Sequence, residues 1–466
     1  MPVTESKEST NQPIDGRHLL LDSRIVENVT NAELTLGTVR KHSANPLFEE
    51  DNPWEQRFDN LYANIIYDEE EALYRCWYSP FIVSHSTKGM TIEQRSEELY
   101  GKHVQEMGIC YATSKDGISW DKPELGLVIY DGSKANNIVW RGGGVHKDWA
   151  GPHGTGIFKD LRDPDPDRRY KAILKEKILS VAFSADGIHW GPPIACPEAN
   201  SAGDTHNNAF WAPTLGKYVA ITRQWHQTNN EYIRLIARTE SDDFTHWAKT
   251  EIVLEGRDTN QQLYAMPVFF QGGIYLGLVA VHDQKTDRVW TELTWSPDTR
   301  TWHRVLSGTP LIDNDGEYGD YDWGCVYAAA SPVFGDDEIR LYYGGSDGLH
   351  TNWRNGFLCM ATLRPDGFAG YKASNGSQSA SVTTAPAFNG TASLLVSADI
   401  AQGGSLVIRA LDDSEHVIAE SEVMTSSVSD GEVKWQAASE LTKLATNWTR
   451  LQFLFRNATV YSFTVV

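Results

Sequence analysis

The sequence predicts an all-β chain, a five-bladed β-propeller followed by a small β-sandwich. Three observations carry that prediction. The pattern S-x-D-x-x-x-W recurs at Ser114-Asp116-Trp120, Ser184-Asp186-Trp190, Ser241-Asp243-Trp247 and Ser296-Asp298-Trp302, and a unit repeated in tandem at such spacing is the mark of radial or solenoid architecture. Each copy follows an apolar run (GICYAT, LSVAF, IRLIART, TELTW), so it sits in the turn leaving a strand. There Asp can hold backbone N–H groups, Gly can supply positive φ, and Trp can pack back under the sheet. Short strand-like runs recur with almost no helical period. From about Gly367 Ser, Thr, Ala and Gly dominate between runs such as SLLVSADI, SLVIRAL, RLQFLF and YSFTVV, which reads as a sandwich.

Taken in order, residues 1–17 are polar, without period, and are expected to be a disordered tail. The runs HLLLDSRIV and AELTLGTV follow. After Asn45-Pro46 each unit reads as strand, hairpin, strand, variable loop, strand, Asp turn, strand. The units open on LYANIIYD, HGTGIFKD, NAFWAP, YAMPVFF and GCVYAAASPVF. Unit five is one strand short, and its turn, Arg364-Pro365-Asp366-Gly367-Phe368, lacks the Trp. AELTLGTV is expected to supply the missing strand and close the ring, removing two open edges; the alternative is a disordered N-terminal arm. The boundaries are therefore 18–366 for the propeller and 367–466 for the sandwich. The sandwich is expected to brace the propeller, with carbohydrate binding as the alternative.

Composition narrows the partners. Among 466 residues, 16 Trp, 19 Tyr and 16 Phe suit both strands and sugar-stacking surfaces. A formal charge of −21 argues against nucleic acid or an anionic membrane. The five cysteines are scattered without C-x-x-C spacing, so neither a zinc site nor a disulfide framework is signalled. The polar N-terminus carries no apolar h-region, and no run approaches membrane length. A cytoplasmic chain is expected, or an exported one whose leader has been removed. No cofactor is expected; a calcium ion near His206 is left open. Oligomeric state is not legible.

Strand order fixes where chemistry belongs. The Asp turns and the hairpins between first and second strands share one face, so the second-to-third-strand loops and the segments leading into each first strand share the other. Polar residues there converge on a central funnel. The lead-in segments carry Trp54, Glu55, Arg57 and Asp59, then Asp148 to His153, then Asp204, His206 and Asn207, then Tyr264, then Asp320 and Asp322. The opposing loops carry a helix-prone insertion from His85 to His103, then Lys175 and Lys177, Arg223 and Trp225, Arg288, His350, Trp353 and Arg354. Carboxylates gathered around a funnel are what glycosidic cleavage needs, one to protonate the leaving oxygen and another to activate water or attack. The candidate catalytic acids are Asp59, Asp148, Asp204 and Asp322. The candidate sugar contacts are Trp54, Glu55, Arg57, His153, His206, Asn207, Arg223, Trp225, Tyr264, Asp320, His350, Trp353 and Arg354. Glu292 reads as a buried structural carboxylate. Arg162-Asp163-Pro164 falls in a hairpin on the wrong face.

The segments KHSANPLFEEDNPWEQRFDNLY and GDTHNNAFWAPTLGKYVAITR, with the SxDGxxW turns, resemble five-bladed propeller glycosidases of glycoside hydrolase families 32 and 43. The NPL and aromatic-acid stretch is similar to the mannoside phosphorylases of family 130. The resemblance implies Asp59 as a blade-one base or nucleophile and Asp148 as a blade-two modulator. Asp204 stands where blade three begins, where those families usually place a Glu, and the stretch W-M-N-D-P-N-G is absent. The expected function is an exo-acting glycoside hydrolase on a terminal sugar, with an anionic sugar compatible with the rim cations. A glycoside phosphorylase and a non-catalytic carbohydrate-binding propeller are the alternatives.

Overall fold

A computed structural model describes residues 16–98, 105–142, 152–227, 232–375, 378–388, 393–436 and 449–466. The chain divides into two compact units, Thr38–Arg364 and a second made from both ends, Met1–Gly37 with Pro365–Val466. Among the described residues no helix is long and apolar enough to cross a membrane.

The first unit is propeller-like, its strand groups taken in chain order as blades one to five; the first three are separate sheets, and the fourth and fifth join in one eleven-stranded sheet through a parallel pair, Val289 with Cys325. Blade one comprises Asn64–Asp68, Leu73–Tyr78, Glu106–Ser114 and Ile138–Arg141. Blade two comprises His153–Lys159, Tyr170–Lys175, Leu179–Ser184 and Ile194–Ala195, and blade three Asn208–Ala212, Lys217–Gln227, Tyr232–Ser241 and Glu251–Leu254. Blade four opens on a first strand interrupted between Gln261–Ala265 and Val268–Gln271, then runs through Ile274–Asp283, Arg288–Ser296 and His303–Arg304. Blade five has Cys325–Ala328 with Val333–Phe334, then Ile339–Ser346 and Gly356–Leu363.

First strands join neighbouring blades around the axis. Asn64 Nδ2 donates to Thr155 O at 2.9 Å, and Ile157 N donates to Asn64 Oδ1 at 2.8 Å. Asn207 N donates to Gly154 O at 2.9 Å, and Val268 N to Asn208 Oδ1 at 2.9 Å. Phe269 and Phe334 meet with ring centroids 5.9 Å apart, and Ala330 N donates to Ala63 O at 2.9 Å. Gly156 is needed at one seam: a Cβ there would lie 1.9 Å from Asn207 O. The far mouth of the channel is a cavity of about 360 Å³ lined by Ile65, Ile157, Asn208, Val268 and Ala330 among others.

The Asp turns have the local geometry the pattern predicts. In the first copy Asp116 Oδ1 accepts from Ile118 N and Ser119 N, each at 2.8 Å, and Ser114 Oγ accepts from Gly117 N at 2.8 Å. They also latch blades together. Trp77 of blade one donates to Gly187 O of blade two's turn at 2.6 Å, and Tyr342 of blade five to Gly117 O at 2.9 Å. Arg238 of blade three donates to Thr299 Oγ1 of blade four's turn at 2.7 Å.

Ring closure differs from expectation. Ala32–Leu36, the core of AELTLGTV, pairs with Ala369–Ala373 in the second unit. The fifth blade is completed by Arg40–Lys41 and Phe48–Glu49, both antiparallel to Gly356–Leu363. Between these short pieces the Asn45 side chain adds to the backbone bonds from His42 N and Leu47 N, donating to Met360 O at 2.8 Å and accepting from Met360 N at 2.9 Å. The unit boundaries thus fall at residues 37/38 and 364/365 rather than at 18 and 366/367. Asp366 lies in the second unit, buried, accepting from Arg17 and from Ser462 Oγ, each at 2.7 Å. It is no blade turn. Of the tail expected at 1–17, residues 16 and 17 begin the strand Gly16–Leu19; the rest lies outside the described residues.

The second unit, expected as a sandwich, is one nine-stranded sheet about a shared apolar core. Leu394–Leu411 and Arg450–Val465 pair along most of their length. The N-terminal strands Gly16–Leu19 and Val26–Thr30 add to that sheet against residues 462–465 and Ala380–Thr384.

Candidate functional site

The loop leading into blade one is conformationally unusual. Asp59, Leu61 and Tyr62 all have positive φ, at 56°, 61° and 47°. Non-glycine residues reach that region at a cost, and such strain concentrates at binding and catalytic sites. The twist presents Asp59, Asn60 and Tyr62 toward the other blades. Asp59 Oδ1 lies 2.5 Å from Arg354 of blade five, and Arg354 also donates to Asn60 Oδ1 at 2.8 Å. Asn60 Nδ2 donates to the Tyr62 hydroxyl at 2.9 Å and to the Tyr264 hydroxyl of blade four at 3.1 Å.

Blades two and three supply the opposite wall. Asp204 Oδ1 lies 2.9 Å from His153 Nε2, and Asp204 Oδ2 lies 3.3 Å from Arg223. Arg223 donates to Tyr264 O at 2.7 Å and stacks 4.2 Å from the Tyr264 ring centre. The path Asp59–Arg354–Asn60–Tyr264–Arg223–Asp204–His153 therefore joins all five blades but one bond at a time, through groups far apart in sequence. The orienting side chains are buried, Arg354 and Arg223 at 1% exposure, while Asp204 keeps 35% and Asp59 14%. Burial pushes the Asp204 carboxyl up, but the His153 hydrogen bond and the Arg223 and Lys175 charges outweigh it and hold Asp204 well below the usual carboxylate range.

A neutral aromatic floor lies between the two acids. His206 stacks 5.3 Å from the Tyr62 ring, with Nε2 3.3 Å from Asn64 Oδ1, and burial lowers its pKa to about 3. His350 Nδ1 lies 2.8 Å from the Tyr327 hydroxyl, and burial, then the Arg354 charge, holds the ring neutral. His282 lies 4.3 Å from His350, with its Nε2 2.9 Å from Asp287. Burial likewise holds the Tyr62 and Tyr327 phenols protonated.

Of the residues predicted from sequence, Asp59, His153, Asp204, His206, Arg223, Trp225, Tyr264, His350 and Arg354 come together here. Others do not. Trp54 donates to Asn137 Oδ1 at 2.7 Å, on the outer strand of blade one. Glu55 is buried, accepting from Tyr78 at 2.5 Å and Lys122 at 2.9 Å. Arg57 is packed between the rings of Phe81 and Trp353, so both it and Trp353 brace the wall. Asn207 clamps backbone, donating to Gly154 O at 2.9 Å and Gly203 O at 3.0 Å. Asp320 is exposed and caps its own turn, accepting from Glu317 N at 2.7 Å. Asp322 is buried against Lys41 and Tyr343, each at 2.9 Å, on the ring-closing seam. In most of these seven residues, a polar side chain beside a strand start turns into a blade seam or its own loop rather than into the funnel. Asp148 lies outside the described residues.

Glu292 is fully buried, accepting from Trp290 Nε1 at 2.9 Å and pairing with Arg304 at 2.6 Å. Asp163 pairs with Lys171 at 2.9 Å in the blade-two hairpin. Tyr62, Arg234 and Tyr327 belong to the site without having been singled out, whereas Asn60 and His282 lie in segments that strand order places on the funnel face. Among the described residues no cluster of His, Cys, Asp and Glu forms a metal site.

No protein-family model matches the sequence, and no curated protein does either. Among solved structures, the chain is similar to an N-acetylgalactosamine deacetylase from F. plautii solved with blood group B trisaccharide, at 14% identity, with 70% of this chain and 95% of that one covered and a TM-score of 0.46. It is similar to a glycosyl hydrolase from Bacteroides ovatus at 14% identity, covering 71% and 95%, with a TM-score of 0.46. A structure from the GH130 family of mannoside phosphorylases, which contains glycoside hydrolases that target β-1,2 mannosidic linkages in Candida mannan, matches at 14% identity over 71% and 95%, with a TM-score of 0.42.

Proposed function

We propose that the chain is an exo-acting glycoside hydrolase that seats a terminal sugar between Asp204 and Asp59. The observation that carries this reading is that two partly exposed carboxylates from different blades are held by buried cations in one polar network. Such an arrangement fixes each carboxylate's orientation yet leaves oxygen free to meet substrate. Asp204, held ionised, acts as the base that activates water or as the nucleophile. It is not the proton donor near neutral pH. The leaving oxygen takes its proton from a second acid, for which Asp148 is the remaining candidate. Exo action is favoured by the 85–103 insertion. Its helix Ile92–Glu97 is capped by Thr91 and Gln94, and Arg95 is fastened to Asp347 of blade five at 2.7 and 2.8 Å.

Aryl glycosides with poor and activated leaving groups, neutral and acidic, test the proposal. Asp204→Asn is expected to lower kcat about a thousandfold on both kinds, because loss of the base is felt whatever departs. A variant lacking the proton donor recovers on the activated substrate alone. Circular dichroism checks that each variant is folded. Unchanged turnover in both Asp204→Asn and Asp59→Asn, or no product from any glycoside, sinks the reading.

A further inference from the structure

We infer that the sugar taken by this funnel carries an oxyanion, a carboxylate or a sulfate, and that Arg234 binds it. The inference rests on the glycosidase reading and adds the substrate class.

Three guanidinium groups line the network, and two have their counter-charge. Arg354 is paired with Asp59 and Arg223 with Asp204. Among the described residues no carboxylate lies within ion-pair distance of Arg234. Its side-chain partner there is a neutral amide, Gln262 Oε1, at 2.8 Å, and its Nε is out of water without an acceptor. Arg234 and Arg223 flank the same two rings. Arg234 lies 5.1 Å from Trp225 and 5.2 Å from Tyr264, and Arg223 lies 5.2 and 4.2 Å from them. Two like charges thus share one aromatic wall beside a single carboxylate. His282 and His350, held neutral, add no charge of their own. Burial and the Arg223 charge both press on the Arg234 cation.

A desolvated cation beside another cation is unfavourable unless something supplies the missing negative charge. A planar guanidinium fork fits carboxylate and sulfate oxygens better than any neutral hydroxyl. The aromatic wall gives the same sugar a face to stack on. Tyr264 ties this corner to the catalytic side, since its hydroxyl accepts from Asn60 and its carbonyl from Arg223.

Isothermal titration of the full chain tests this with D-glucuronate, D-galacturonate and galactose 6-sulfate, each beside neutral D-glucose or D-galactose. At least one acidic sugar is expected to bind more tightly than its neutral counterpart, and the preference weakens with added salt. Arg234→Gln is expected to lower affinity for that sugar by roughly ten- to a hundredfold, the effect of losing a charge-assisted bidentate contact, and to leave the neutral sugar unchanged. Arg234→Lys keeps part of the preference and guards against a folding failure in the glutamine variant. The arm that responds separates carboxylate from sulfate. Equal binding of acidic and neutral sugars, or a preference untouched by Arg234→Gln, overturns the inference. Turnover that requires inorganic phosphate through Arg234 would assign it to a co-substrate, and also overturns it. An Arg234-dependent preference with no hydrolysis sinks the glycosidase reading alone; wild-type hydrolysis of acidic glycosides by Arg234→Gln sinks this one alone.

Discussion

His206 shows at the residue scale how the funnel floor couples to pH. Its ring is buried against Tyr62, and its pKa falls from 6.5 to about 3. Below pH 6.5 the unfolded chain takes up a proton that the folded chain refuses, so stability rises with pH across that window and is lost as pH falls. Each such histidine contributes a slope of about 1.4 kcal/mol per pH unit. Burial lowers His350 and His282 in the same direction. Buried Glu50, raised to about 8, acts in the opposite direction over the same range, so one histidine's share is read from a variant and not from the total slope. In urea unfolding at pH 7, 6 and 5, His206→Asn should shed one histidine's share of the wild-type slope. Identical slopes in the two proteins would contradict the buried neutral assignment. At this scale the sequence was only partly legible. Asp204 and His206 stood out because three polar side chains precede a strand. Glu55 and Asp322 stood out equally, yet their partners Lys122, Tyr78, Lys41 and Tyr343 come from distant segments that no local pattern reveals.

Among the elements, the Asp turn was the most legible feature, because its bonds run between neighbours two and three residues apart. Its second role was hidden. Gly187, at φ 77°, is covered by Trp77 of the adjoining blade, and a Cβ there would lie 2.6 Å from that ring. Gly216, at φ 63°, has nothing within 4 Å. Alanine at either position meets left-handed strain of about 1 kcal/mol, but only Gly187→Ala adds an overpacking cost of roughly 1–3 kcal/mol. Thermal melts should therefore place Gly187→Ala several degrees below Gly216→Ala. Equal melting points would mean that the turn does not latch its neighbour. Phe244 and Thr299 occupy the matching position in the third and fourth copies at φ 67° and 65°. Left-handed geometry there is thus demanded by the turn, and glycine is one way of meeting it.

For the molecule as a whole, the closing seam of the propeller is the feature most exposed to a single substitution. Lys41 bridges buried Asp322 at 2.9 Å and exposed Asp315 at 3.0 Å. Lys41→Met leaves the Asp322 carboxylate without its cation, an expected loss of about 2–3 kcal/mol, discounted because the lysine is partly exposed. Lys41→Met with Asp322→Asn should recover most of it. Chemical denaturation decides: a double variant no more stable than the single one would show that the charge pair is not what fastens the ring. Five repeats were legible in the sequence because each blade repeats one pattern. The partner of AELTLGTV was not, because its alternation suits any sheet edge, and only register with Ala369–Ala373 selects one.

That selection has a consequence for biosynthesis. The strands Gly16–Leu19, Val26–Thr30 and Ala32–Leu36 leave the ribosome ahead of the propeller strands, yet all three pair with segments beyond residue 368. At common elongation speeds of about 5–20 residues per second, they wait roughly a quarter of a minute to a minute and a half for those partners. The middle of the chain can close on itself during that delay, while the leading strands stay open to chaperones or to another nascent chain.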